Sequence, residues 1–334
     1  MKGRFMRLIS LVFVLLISVY AGSIYNDIGK DSGGNKAAIT IAVSKTPLSA
    51  PFYIAESQGY FSDSCVNVVI NDVIGGKKSF EQVVTGDADF GTSSDSVIVF
   101  QALQRHDFVT LASFAQSDND VKLITRIKNN IHESADLAGR RIGLIRGTAS
   151  EYLLSTYLAL SGLTIRDVIL KALSAEQLPQ ALEQNKVDLI VPWEPYAFMT
   201  VESLNSDART LNTKNLHTLM FNLISRRLVD TEKVEQAVCV MQALNHAVNY
   251  IAAEPDKSRK IIVERIGTYQ KFIDWVWPDY IFKLSLNRSL LMSLQSQTLW
   301  LRDSDKVGTA ELPDYRMLLD NRVLKKVNPM AVKL

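Results

Sequence analysis

The sequence predicts an α/β fold built as two lobes, and two observations carry this prediction. Short β-rich runs alternate with helical patterns through the first two thirds of the chain, which is typical of largely parallel sheets covered by helices. The series also restarts near the middle, where "DLAGRRIGLIRGTASE" (136–151) begins a new strand, turn and helix. At 334 residues the chain is long enough for two domains with their own cores.

The predicted elements follow one another in a regular order. The strands are expected at 39–44, 66–70, 88–92, 109–114 and 121–127 and, after the restart, at 141–146, 168–173, 187–191 and 219–225. The helices between them are expected at 51–59, 77–85, 95–105, 150–161, 175–185 and 195–204. Beyond residue 228 the pattern is helical throughout, at 231–253, 256–266 and 287–301, with a break at Glu254-Pro255.

The N-terminus has the pattern of an export signal. Three basic residues, Lys2, Arg4 and Arg7, precede an apolar run at 8–19, and Val19-Tyr20-Ala21 supplies a cleavage site. The run is shorter than the roughly 20 residues that span a bilayer. We therefore predict a signal peptide at 1–21, a Gly/Ser/Asp-rich flexible linker at 22–36 and a periplasmic location, with an uncleaved membrane anchor as the alternative.

Charge, cysteine and histidine content exclude several function classes. Cleavage would remove three basic and no acidic residues, so 37 Lys plus Arg against 35 Asp plus Glu becomes 34 against 35. The excess of basic over acidic residues thus lies in the predicted signal peptide, and no nucleic-acid-binding surface is expected. Cys65 and Cys239 are expected as buried free thiols, with a disulfide as the alternative. His106, His132, His217 and His246 share no ligand spacing, so neither a metal site nor a cofactor is expected.

Polar residues recur where predicted strands end. The turns "SKTPLSAP" (44–51), "GTSSDS" (91–96) and "RGTASEYLL" (146–154) each lead into a helix. Taken singly, each is more often an ordinary helix cap than a binding site, and "RGTAS" lacks the lysine of a phosphate-binding P-loop. Ligands of open α/β sheets nevertheless collect at the carboxyl ends of strands, where helix N-termini present free N–H groups. Their recurrence there indicates a ligand cleft.

A fourth strand end lies in "VDLIVPWEPYA" (187–197). Pro192 and Pro195 restrict the backbone on either side of Trp193 and Glu194, so the ring and the carboxylate are held stiffly where the strand ends. The next helix is expected to begin at Pro195. The alternative is that Trp193 belongs to the core and Glu194 to the surface.

Four segments resemble the periplasmic solute-binding proteins of ABC importers, in the group that takes nitrate, sulfonates, taurine or thiamine-pyrimidine precursors. They are "SAPFYIAESQGYF", "GDADFGTSSDS", "DLAGRRIGLIRGTASEYLLSTYLALSGL" and "VDLIVPWEPYA". The resemblance covers about residues 39–330. It implies a type II periplasmic binding fold with a cleft between two lobes and two hinge crossings, at "VKLITRI" (121–127) and "LMFNLIS" (219–225). The first part of lobe 1 is expected at 37–124, lobe 2 with its hinge strands at 125–225, and the return to lobe 1 with C-terminal helices at 226–334.

The resemblance also implies which residues line the cleft. These ligand-binding positions are Thr46, Leu48, Ser49, Ser93, Ser94, Asp95, Thr148, Ala149, Ser150, Trp193 and Glu194. Trp193 would form a wall of the site, and Glu194, with no buried partner in the empty protein, would pair with a ligand cation or N–H donor. A helix N-terminus opposite a carboxylate would favour a zwitterion.

The function that follows is capture of a small polar organic ligand, sulfonate, taurine-like or pyrimidine-like, and its delivery to an ABC permease in the inner membrane. The protein is expected to act as a monomer. The alternative is a periplasmic sensor that signals to a membrane receptor or signalling enzyme. An enzyme is not expected, because the relative that makes the thiamine pyrimidine uses a histidine and a cysteine-rich segment, and these cleft positions contain neither.

Overall fold

The structure of the protein is a computed structural model that describes residues 37–303 and 312–334. The predicted signal peptide and linker lie outside the described residues. Two sheets covered by helices make up the described chain, so the predicted α/β class is confirmed. Across these residues, no helix combines the length and the apolar character needed to cross a membrane.

The strands form one sheet in each lobe. They are β1 (Ala37–Ser44), β2 (Val66–Val73), β3 (Phe90–Ser94), β4 (Phe108–Ser117), β5 (Ile124–Arg126), β6 (Arg141–Leu144), β7 (Ile169–Ala172), β8 (Leu189–Ile190), β9 (Ala208–Thr210), β10 (Leu219–Arg226), β11 (Tyr280–Asn287) and β12 (Val332–Lys333). The first sheet has the order β12-β11-β4-β10-β3-β1-β2, and the second has the order β7-β6-β8-β5-β9.

The α-helices cover these sheets. They are α1 (Ala50–Ser57), α2 (Gly75–Thr85), α3 (Asp95–Ala102), α4 (Ala149–Ala159), α5 (Gln177–Glu183), α6 (Tyr196–Leu204), α7 (Thr231–Ala253), α8 (Pro255–Ile266), α9 (Gln270–Val276), α10 (Arg288–Asp303) and α11 (Arg322–Val327). Local chemistry sets several boundaries: Ser94 caps α3 through Val97 N at 3.3 Å, and Thr148 caps α4 through Ser150 N at 3.3 Å.

The chain passes between the two sheets twice. It leaves β4 of the first sheet through 118–123 to reach β5 of the second, and it leaves β9 through 211–218 to return at β10. We call the first sheet with its helices lobe 1 and the second sheet with its helices lobe 2. The predicted crossing "LMFNLIS" is β10 itself, which pairs antiparallel with both β3 and β4. The second crossing therefore runs just before it.

The expectation that the chain is wholly helical beyond residue 228 is wrong for "YIFKLSLN" (280–287). This segment is β11, which pairs antiparallel with β4 and extends the first sheet. Tyr280, Leu284 and Leu286 are buried along the strand while Ile281 is 56% exposed. The alternating pattern is the period of a half-buried strand, and it was hidden by the helices on both sides of it.

Cys65 and Cys239 form a disulfide, so the expectation of free thiols is also wrong. Their Cα atoms lie 5.8 Å apart although 174 residues separate them in sequence. The bridge ties the turn before β2 to α7. Only the packing of α7 on lobe 1 brings the two side chains together.

Candidate functional site

A small cavity lies between the lobes where several strands end. Ser44 ends β1, Ser94 ends β3, and Gly75 follows β2, while Thr148 and Trp193 follow β6 and β8 of lobe 2; all five line the cavity. Its volume is about 40 Å³, enough for a few water-sized groups. The site therefore occupies the carboxyl ends of the strands, where ligands of α/β sheets bind.

Two buried hydroxyl groups that line this cavity have no hydrogen-bond partner. Ser44 is 1% exposed and Thr46 is 7% exposed, yet Ser44 Oγ and Thr46 Oγ1 bond to nothing in the described chain. Leaving a buried hydroxyl unsatisfied costs about 1–3 kcal/mol. Both groups are therefore placed to donate to a ligand in the cavity.

The N-terminus of α2 opens onto the same cavity. No side chain caps this helix, so its leading N–H groups lack protein partners from a cap. Gly75 has φ +78°, and a Cβ atom there would lie 3.1 Å from Trp193 Cζ2, while a Cβ on Gly76 would lie 3.1 Å from Ser93 Cα. Two glycines thus let the helix terminus approach both Trp193 and the end of β3. Such a terminus favours an anionic group.

Charged residues near the N-terminus of α2 also favour an anionic group in the cavity. Lys77 lines the cavity, and its Nζ atom lies 3.8 Å from the position of a Cβ atom on Gly147 across the cleft. Within the described chain its ammonium group has neither a hydrogen bond nor an ion pair. Asp120 is the acidic residue of the lining, and burial, followed by the charge of Glu194, raises its pKa to about 7. Below that pH the Asp120 carboxyl is neutral, so it does not repel an anion.

Glu194 is placed differently from the sequence-based expectation. It is fully buried, and its carboxylate accepts bonds from Lys122 Nζ at 2.8 Å, Trp275 Nε1 at 3.0 Å and Phe198 N at 2.9 Å. The expectation that Glu194 has no buried partner is therefore wrong. Lys122 lies on the first crossing and Trp275 on α9 of lobe 1, so the Glu194 network joins the hinge and both lobes. A carboxylate neutralised in this way does not favour a zwitterion.

Asp95 is also held inside the protein. Its carboxylate, 0% exposed, accepts bonds from Ser293 Oγ at 2.7 Å and Gln297 Nε2 at 2.9 Å on α10. His217 Nε2 lies 3.8 Å from Asp95 Oδ1, and burial lowers the pKa of His217. These contacts anchor α10 to the first turn of α3.

The predicted cleft residues divide into two groups. Those that line the cavity are Thr46, Leu48, Ser94, Thr148, Ala149 and Trp193. Those that are buried but do not line the cavity are Ser49, Ser93, Asp95, Ser150 and Glu194. Ser93, for example, donates to Gly76 O at 3.3 Å, and Ser150 donates to Val191 O at 2.7 Å.

Sequence reasoning missed further residues of the lining: Ser44, Gly75, Gly76, Lys77, Val97, Asp120, Val121, Leu219 and Phe221. A signal for some of them was present. "GGK" (75–77) is separated by four residues from the second predicted strand at 66–70, and two glycines and a lysine near a strand end are an anion-binding pattern. Asp120 carried no such signal, because it lies on a crossing rather than at the end of a strand.

The sequence matches a known protein family. The sequence profile described as "NMT1/THI5 like" matches residues 46–258, which is more than half of the chain and includes most of the cavity lining. The chain belongs to the NMT1/THI5-like family. No curated protein matches the sequence.

Solved structures resemble this NMT1/THI5-like protein over most of its length. The alkanesulfonate-binding protein SsuA from Xanthomonas axonopodis pv. citri, bound to MOPS, aligns with a TM-score of 0.72 at 20% identity over 85% of this chain and 98% of its own. The periplasmic aliphatic sulphonate binding protein SsuA from Escherichia coli aligns with a TM-score of 0.71 at 18% identity over 85% and 92%. The desulfurization enzyme DSZB aligns with a TM-score of 0.63 at 15% identity over 87% and 98%. At these identities the likeness establishes the fold of periplasmic binding proteins.

Proposed function

We propose that this protein is an extracytoplasmic solute-binding protein. It holds the sulfonate group of a small organic ligand in the cavity between its lobes and delivers the ligand to an ABC permease in the inner membrane. The observation that carries the proposal is the pair of unpartnered buried hydroxyls, Ser44 and Thr46, beside the uncapped N-terminus of α2. Three kinds of donor, namely hydroxyls, helix N–H groups and the Lys77 ammonium, converge on one small space.

A sulfonate suits this arrangement on chemical grounds. It offers three acceptor oxygens that share one negative charge, and the donors surround the space from more than one direction. The likeness in fold to sulfonate-binding proteins supports this choice of head group. A pyrimidine would leave the uncapped helix terminus without an anion, and a zwitterion would need a free carboxylate, which Glu194 does not provide.

Binding is favoured over catalysis by the composition of the cavity. Among the described residues that line it, no histidine or cysteine is present, and Asp120 is the carboxyl group of the lining. General acid–base or nucleophilic chemistry needs a suitably placed pair of such groups. The expected role therefore remains that of a binding protein.

The test is titration calorimetry with methanesulfonate, taurine and nitrate. Methanesulfonate should bind, and Ser44→Ala and Thr46→Val should each weaken it by roughly ten- to a hundredfold, the effect of losing one hydrogen bond of about 1.5–3 kcal/mol to a charged group. Ser258→Ala is the matched control, because Ser258 Oγ is equally buried and unpartnered but lies on α8, away from the cavity. Equal losses in the control, or no binding of any sulfonate, would refute the proposal. Stimulation of the ATPase of a cognate permease by the loaded protein would test delivery.

A further inference from the structure

Two larger spaces lie beside the cavity, and Trp193 lines all three. One of these spaces is lined by the charged and polar side chains of Asp72, Lys77, Lys78, Glu81, Ser174 and Glu176, together with the apolar side chains of Val73, Ile74, Ile145 and Ala175. The other is a groove of about 640 Å³. Thr46, Gly75 and Trp193 line both this groove and the cavity, so the two spaces adjoin at these residues. We call this groove the aromatic groove.

The walls of the aromatic groove are predominantly apolar. Lobe 2 contributes Trp193, Tyr196, Phe198 and Met199, and lobe 1 contributes Ile266, Tyr269 and Phe272. Met199 is 52% exposed and Tyr269 is 78% exposed. Exposed apolar side chains in a groove beside a ligand cavity are expected to contact part of the ligand, because burying their apolar surface favours binding.

We infer that the ligand carries an aromatic tail, which leaves the cavity past Trp193 and packs in the aromatic groove. This inference rests on the proposed function, since the sulfonate head must occupy the cavity. The direction of the tail follows from the linings of the two spaces. In the first space a ring would lie beside Lys78, Glu81 and Glu176 and would displace water from these charged groups. The aromatic groove instead adds two tyrosines and two phenylalanines to Trp193, and these side chains offer edge and face contacts to a ring.

An ion pair also lines the aromatic groove. Lys271 of lobe 1 and Glu202 of lobe 2 belong to its lining, and Lys271 Nζ lies 3.0 Å from Glu202 Oε2. The pair crosses from one lobe to the other, and both side chains are exposed. A tail that filled the groove would therefore contact this pair.

The experiment compares sulfonates that share one head group. The ligands for titration calorimetry are methanesulfonate, ethanesulfonate, 2-phenylethanesulfonate and 2-cyclohexylethanesulfonate. Ethanesulfonate should bind with about fourfold higher affinity than methanesulfonate, because it buries one more methylene, which corresponds to about 0.8 kcal/mol. The phenyl compound should bind at least tenfold more tightly than methanesulfonate and more tightly than its cyclohexyl counterpart, because aromatic contacts add to the area term.

Variants separate the groove from the cavity. Met199→Ser with Tyr269→Ser should weaken 2-phenylethanesulfonate roughly three- to tenfold and leave methanesulfonate unchanged, since both side chains are exposed and line only the groove. Met292→Ser, at a methionine 64% exposed on α10, is the control and should change neither ligand. Equal affinity for all four sulfonates would overturn the aromatic tail while leaving the proposed function intact. Failure of all four to bind would overturn both.

Discussion

Replacing Glu194 by glutamine should destabilise the fold strongly. The carboxylate is 0% exposed, and the side chain of Lys122, its ion-pair partner at 2.8 Å, is 4% exposed. Glu194→Gln keeps the shape but leaves a buried ammonium without its counter-charge. Breaking one side of a buried pair costs about 3–5 kcal/mol.

The lower end of this range is expected here because other groups compensate in part. Lys122 Nζ also donates to Asn119 O. Removing the charge of Glu194 also removes one cause of the raised pKa of Asp120. Asp120 would then ionise more readily, and its negative charge would partly balance the Lys122 ammonium. We therefore expect a loss of about 3 kcal/mol, which for a chain of this length corresponds to a fall in melting temperature of roughly 5 °C.

The assay is urea unfolding of the disulfide-intact protein, followed by circular dichroism. Lys122→Met combined with Glu194→Gln should recover much of the loss, because no charge is then left buried. Glu202→Gln is the matched control, since its ion pair with Lys271 also joins the lobes but is exposed, and it should cost no more than about 1 kcal/mol. A change within about 0.5 kcal/mol for Glu194→Gln would show that the Glu194 network does not hold the hinge as the structure indicates.

Three further predictions concern the disulfide, pH and closure. Cys65→Ser with Cys239→Ser should lower the free energy of unfolding by about 2–4 kcal/mol in urea titrations, because the bridge closes a long loop; an unchanged midpoint would contradict this. Affinity for methanesulfonate should fall severalfold as pH rises through about 7, since Asp120 then becomes charged in the cavity, and calorimetry on Asp120→Asn should show a flat profile. A slope that persists in that variant would assign the titration to another group. Ligand should also reduce the radius of gyration in small-angle scattering, because the chain crosses twice between the lobes, and an unchanged radius at saturation would argue against hinge closure.

Sequence alone was sufficient for most of the regular elements and for the strand ends that surround the candidate cavity. Hydrophobic period and capping residues act within a few positions of one another, so the strands before residue 228 other than the short β9, together with the caps Ser94 and Thr148, could be predicted from local patterns. The same holds for Trp193, because Pro192 and Pro195 restrict the backbone beside it. Strand β11 escaped prediction because the pairing with β4 that stabilises it involves residues more than 150 positions away.

The hydrogen-bond and ion-pair partners of these polar side chains, in contrast, were decided by the tertiary structure. Glu194 looked like a free carboxylate at a strand end, but Lys122 and Trp275 reach it from 72 and 81 positions away. The opposite occurred at Ser44, which reads as the last residue of a strand and becomes a buried donor without a partner. A side chain's type and its local backbone follow from nearby sequence, whereas its hydrogen-bond partners depend on which distant segments pack around it. For that reason the sequence indicated the strand ends around the candidate cavity, and only the fold showed which of the polar groups there lack a hydrogen-bond partner.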